Sequence, residues 1–174
     1  KPDGNVAWRY PRAAWTHSRP APTPDGGCVW SPGSGGLVAL DSEGRQKWHW
    51  GQGLQMQSIQ AAVGPDGTSY VCVKDQGYDL VAVAPDGTTR WQADLEMHAS
   101  SPAVVHPDGK VSLRVDLAAG TKVVTFDGGG QKLHEASIPG RVEGRLGLGP
   151  DGSVFVGNQD GQLFRVGPDG QAAP

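Results

Sequence analysis

Arg19, Gln60 and Arg145 recur at one place in a repeating sequence, and His17, His98, Arg141 and Glu143 stand within a few positions of that place. Guanidinium and imidazole groups that converge can hold a carboxylate or phosphate through charge-assisted hydrogen bonds. The same residues also suit a solvated rim in which each group points outward. The pattern for catalysis is thinner. No nucleophile has a base at a recognisable spacing, no glycine-rich phosphate loop follows a strand, and no repeat position brings two carboxylates together, so an enzyme is not expected. His17 and His98 lie in separate segments with no Cys or His partner at zinc-ligand spacing, and no metal is expected there. "NQDG" (Asn158 to Gly161) and "KDQGYD" (Lys74 to Asp79) offer oxygen ligands but lack the carboxylates of a calcium loop, and read as turns between strands. Met56 and Met97 fall in the same class of segment as the candidate site, where they offer an adaptable apolar contact or simply fill gaps.

The elements that must position these residues follow from turn chemistry. Pro-Asp-Gly recurs with its glycine at Gly26, Gly67, Gly109 and Gly152, at intervals of 41, 42 and 43 residues. Proline presets φ, aspartate bonds the backbone ahead of it, and glycine accepts positive φ. A second glycine series, Gly4, Gly44, Gly87, Gly129 and Gly170, is spaced by 40, 43, 42 and 41 residues and runs in phase with the first. Between the turns lie short period-2 apolar runs, such as Val111 with Leu113 and Val154 with Val156, each reading as one buried face of a strand. Val81 and Val83 mark one face of the following strand and Leu37, Leu80 and Leu163 the other, so this strand reads as buried on both sides.

Four strands, A to D, fit each repeat of about 42 residues, and a small sheet of this kind buries its faces only by stacking on its neighbours. The expected fold is an all-β propeller of four four-stranded blades. A single domain spans 1–174, with repeats near 17–50, 58–94, 100–138 and 143–174 plus a strand at 5–10. Trp8, Trp48 and Trp91, with Leu133 in register, lie four residues after the second turn glycine, where a flat side chain can wedge against the next blade. The last repeat lacks strand D, and the N-terminal "GNVAWRY" reads as a strand D without a blade, expected to complete the C-terminal one. Two copies pairing end to end into eight blades satisfy the same pattern.

"ALDSEGRQKW" (Ala39 to Trp48), "VAPDGTTRW" (Val83 to Trp91) and "SSPAVVHPDGKV" (Ser100 to Val111) resemble the blades of the PQQ-like propeller superfamily, which includes quinoprotein dehydrogenases, BamB-type assembly scaffolds and bacterial sensor ectodomains. The resemblance implies a binding or sensor module for a protein, a peptide or a small polar or anionic ligand, within a larger periplasmic or extracellular protein. It also leaves open a quinone-binding reading, with PQQ over the axis. Against PQQ, the chain lacks the adjacent cysteines such enzymes usually carry, and a four-bladed axis is too narrow for a tricyclic quinone. In propellers of this kind the D-to-A and B-to-C connections gather on one face, and the candidate site residues all fall in or beside D-to-A segments.

Composition supports this reading. The chain has 174 residues, 27 glycines and 14 prolines, yet six tryptophans and regular apolar runs argue for order. A formal charge of −3 offers no footprint for nucleic acid or an anionic membrane. No apolar run approaches a membrane span, and a start at Lys1 suggests a processed or excised chain. Cys28 and Cys72 fall at opposite strand parity, so no disulfide is expected.

Overall fold

A computed structural model describes residues 4–11, 18–32, 35–56, 60–99, 101–118 and 120–173, and among them there are strands and turns but no helix. Four antiparallel sheets follow one another along the chain. The first blade holds β1 (Ala21–Pro22), β2 (Cys28–Trp30), β3 (Leu37–Leu40) and β4 (Gln46–Trp50). In the second, β5 (Gln55–Met56) and β6 (Ala62–Val63) both pair with β7 (Ser69–Lys74), which pairs onward with β8 (Tyr78–Val83) and β9 (Thr89–Asp94). The third is β10 (Val104–Val105), β11 (Val111–Leu117), β12 (Gly120–Phe126) and β13 (Lys132–Ile138), and the fourth β14 (Gly147–Leu148), β15 (Val154–Gly157), β16 (Leu163–Val166) and β17 (Ala172–Ala173). Strand β5 is an addition the repeat did not announce, extending the second blade by pairing Gln55 with Lys74.

The turns behave as their chemistry requires. Gly26, Gly67, Gly109 and Gly152 hold φ between +81° and +84°. In each Pro-Asp-Gly turn the aspartate accepts a backbone N–H two residues on, as at Asp66 with Thr68 (3.0 Å) and Asp151 with Ser153 (3.0 Å). In the second series one assignment shifts. Gly130, not Gly129, takes positive φ (+87°) and donates its N–H to the Asp127 carbonyl at 3.1 Å, as Gly44 does to Asp41 at 3.0 Å. Three consecutive glycines after Asp127 hide the turn position, because no side chain marks it.

The shift moves the docking residue of the third blade from Leu133 to His134. The Trp48 indole N–H donates to the Pro85 carbonyl at 2.8 Å and that of Trp91 to the Gly128 carbonyl at 2.9 Å, each ring lying over the next blade's turn glycine. His134 lies over Gly170 in the same way, whereas Leu133 is exposed.

Strand C shows how the blades stack. Seven and five residues before the turn glycine stand Leu37 with Ala39, Leu80 with Ala82 and Val123 with Thr125, all buried and facing the following blade. The intervening positions face the preceding blade. Thus Leu37 and Ala39 cluster with Val81 and Val83, Leu80 and Ala82 with Val124 and Phe126, and Val123 with Phe164 and Val166. Each fully buried aliphatic side chain contributes about 1.5–3 kcal/mol. Cys28 and Cys72 form no disulfide, and Cys72 is buried in the seam between the second and third blades.

The expected pairing of the N-terminal strand with the fourth blade is not made among the described residues. Two-residue β17 pairs with β16, whereas residues 4–11 lie against the first blade. Trp8 Nε1 donates to the Ser42 carbonyl at 3.0 Å and its ring lies over Gly44. This is the docking that Trp48 and Trp91 make one blade further on, and it fixes the segment at the first blade's side.

Candidate functional site

Backbone bonds bring D-to-A and B-to-C connections to one face. The Asp116 N–H donates to the His98 carbonyl at 2.9 Å, and the Gln159 N–H to that of Arg141 at 2.8 Å. Between the third and fourth blades this face opens into a cleft of about 770 Å³, walled by His98, Arg114, Asp116, Thr121, Arg141 and Glu143 among others.

The floor of the cleft is an ion pair that sequence reasoning missed. Arg114 is only 6% exposed. Its Nε lies 3.1 Å from Asp116 Oδ1, and its Nη1 donates to the Gly144 carbonyl at 3.0 Å. The guanidinium therefore ties strand β11 to the connection that enters the fourth blade. A buried charge is tolerated only when paired and hydrogen-bonded in this way. His98 Nδ1 stands 3.9 Å from Asp116 Oδ2, and the ring meets Tyr78 edge-on at 6.0 Å. A departure from the repeat was the available signal: position 114 corresponds to Ser31, Cys72 and Gly157 in the other blades, so an arginine there is out of pattern.

The seven expected site residues divide. His98, Arg141 and Glu143 line the cleft, with Arg141 Nε 3.7 Å from Glu143 Oε1. That pair is solvent-exposed and contributes little to stability, leaving both groups free to exchange partners. Gln60 and Arg145 meet directly, Arg145 Nη2 donating to Gln60 Oε1 at 2.6 Å across 85 residues of sequence. The second and fourth blades therefore approach each other at the strand A starts. Arg19 is exposed and joins neither group, and His17 lies outside the described residues. The rings of Trp8, Trp48 and Trp91 lie over the turn glycines Gly44, Gly87 and Gly130.

A serine and a histidine do meet elsewhere. His106 Nε2 lies 2.8 Å from Ser112 Oγ, which lies 2.8 Å from Thr125 Oγ1. Ser112 is fully buried, and the adjoining cavity of about 60 Å³ has room for a few waters rather than an acyl substrate. Burial holds the His106 imidazole below its usual range, helped by Lys110 and His134 and opposed by Asp108. This relay links neighbouring strands within the third blade, beside the cavity that separates it from the fourth. Among the described residues, no group of three or more His, Cys, Asp or Glu side chains could hold a metal ion.

Solved structures with the same blade arrangement are distant in sequence. A protein of unknown function from Bacteroides caccae is 18% identical, with a TM-score of 0.65, covering 100% of this chain and 65% of its own. A gluconolactonase from Xanthomonas campestris is 14% identical over 88% of this chain and 59% of its own, with a TM-score of 0.62. BBS1N, solved in complex with ARL6DN, is 16% identical over 85% of this chain and 49% of its own, with a TM-score of 0.60. The chain thus spans less than two thirds of each, and these likenesses establish the propeller fold alone. No curated protein sequence matches. The sequence profile of one family matches residues 1–172, nearly every blade residue described above, and by that match the chain belongs to the family of the outer membrane protein assembly factor BamB.

Proposed function

We propose that the chain is a non-catalytic binding or sensor module, part of a larger extracytoplasmic protein, which takes an extended peptide or a small polar ligand in the cleft between its third and fourth blades. The observation that carries this reading is the cleft itself: about 770 Å³ on the loop face, floored by the buried Arg114 and walled by Arg141 and Glu143. The volume lies within the range of ligand pockets. The lining supplies both donors and acceptors, which suits the alternating N–H and C=O groups of a peptide. The fixed Arg114–Asp116 pair gives a rigid base, and the exposed Arg141–Glu143 pair gives adjustable partners. Membership of a family described as an assembly factor supports a protein or peptide partner, and BBS1N shows a propeller of this fold in complex with another protein.

Panning a random peptide library against the immobilised chain tests the reading. Selected peptides should lose at least tenfold in affinity for the charge-swapped variant Arg141→Glu/Glu143→Arg, whose surface substitutions leave the fold intact. Peptides that bind both proteins equally would remove the cleft as the site.

A further inference from the structure

The seams between the first and second blades and between the second and third are built on one plan but filled differently. Val29 and Tyr70 each stand three residues after a turn glycine and pair across the sheet with Ala39 and Ala82. In the second seam the Tyr70 ring lies over Gly64, which has no side chain to obstruct it, and is buried. It meets Trp91 at 5.8 Å with the planes tilted by 48°, and Trp91 stacks on Phe126 of the third blade at 6.4 Å. The same three positions in the first seam hold Val29, Trp48 and Val83, so one ring remains where the second seam packs three.

The first seam does not close over the space. A pocket of about 160 Å³ lies between the first and second blades, walled by Val29, Ala39, Trp48, Pro24, Pro65 and Pro85 among others, and it opens at the Pro-Asp-Gly turns. Protein interiors rarely leave voids of this size, and an apolar cavity of about 150 Å³ is enough to take a benzene ring. The third seam shows another solution. There Ser112 occupies the place of Tyr70, His106 bonds it at 2.8 Å, and the remaining cavity is about 60 Å³. At the rim of the larger pocket, Asp25 accepts from Lys47 Nζ at 2.6 Å and Asp66 from Arg90 Nη1 at 2.6 Å. Both carboxylates have partners within the protein, and their charge disfavours an anionic guest. We propose that this pocket binds a small uncharged aromatic molecule, whose ring takes beside Trp48 the place that Tyr70 takes beside Trp91. Offset and tilted ring pairs of this kind add to the free energy of burial. The site lies at the turns, apart from the cleft between the third and fourth blades.

The probe is p-cresol, the tyrosine side chain as a free molecule, titrated into isotope-labelled chain. Shifts are expected at the Trp48 indole N–H and at the amides of Ala39 and Gly67. Val29→Tyr with Thr23→Gly copies the pair that the second blade carries and fills the pocket from within. This variant should bind p-cresol at least tenfold more weakly and unfold at a higher temperature than the wild type. Tyr70→Val provides a measurement independent of that variant, because it should create a second p-cresol site marked by shifts at the Trp91 indole N–H. The anionic analogue 4-methylbenzoate should bind the wild type at least tenfold more weakly than p-cresol. No shifts up to the solubility limit of p-cresol, shifts unchanged in the filled variant, no second site in Tyr70→Val, or equal binding of 4-methylbenzoate would each overturn the proposal.

Discussion

The indole N–H of Trp91 donates to the Gly128 carbonyl at 2.9 Å while its ring covers Gly130, joining the second blade to the third. The same relationship links Trp48 to the turn at Pro85 and Trp8 to the turn at Ser42. These anchors are the repeat's structural signature, and they make the seams separately testable.

Trp91→Ala should lower stability by about 2–3 kcal/mol, since it removes a large aromatic wedge and its hydrogen bond. Urea unfolding gives the value. A loss under about 0.5 kcal/mol would mean that the ring contributes little to the seam.

Gly129→Ala and Gly130→Ala distinguish the two possible turn registers. At Gly130 an added Cβ would meet Trp91 at 2.6 Å in a left-handed backbone, whereas at Gly129 its nearest neighbour is an Asp127 oxygen at 3.3 Å. The Gly130 variant should lose about 2 kcal/mol or more and the Gly129 variant less than about 1. Equal losses would contradict the register.

The fixed floor of the cleft predicts asymmetry between single and double substitutions. Arg114→Met alone removes the buried partner of half-buried Asp116 and should cost about 2 kcal/mol, while Arg114→Met with Asp116→Leu should cost clearly less. If the double variant is the less stable of the two, the pair does not behave as a buried ion pair.

Acid should weaken the seam between the third and fourth blades. The folded chain holds His106 below its usual range, so the unfolded chain binds more protons and stability rises with pH through that window. The corresponding stability is present above about pH 6.5 and is lost as pH falls toward the folded value. Unfolding midpoints measured across that range should fall with acid in the wild type and fall less in His106→Gln, and matching slopes would contradict the assignment.

Much of this was legible before the structure. Pro-Asp-Gly is local chemistry, so the turns at Gly26, Gly67, Gly109 and Gly152 declare themselves, and period-2 runs such as Val154 with Val156 follow between them. Where local chemistry is degenerate, as in the glycines after Asp127, the register slipped by one residue and Leu133 stood in for His134. The site was half legible. D-to-A placement found His98, Arg141 and Glu143, but Arg114 meets Gly144 only through the packing of two blades, and no spacing rule encodes that contact. Arg19 shared the repeat position of Gln60 and Arg145 without sharing their contact, because equivalent repeat positions become neighbours only where the arc of blades brings them together.

The most direct measurement is the amide spectrum of isotope-labelled chain titrated with peptides selected against it. The account predicts shifts centred on His98, Arg114, Arg141 and Glu143, and their loss in the Arg141→Glu/Glu143→Arg variant. Shifts centred instead on the opposite face, around the Pro-Asp-Gly turns beside Trp48, would contradict the cleft as the binding site.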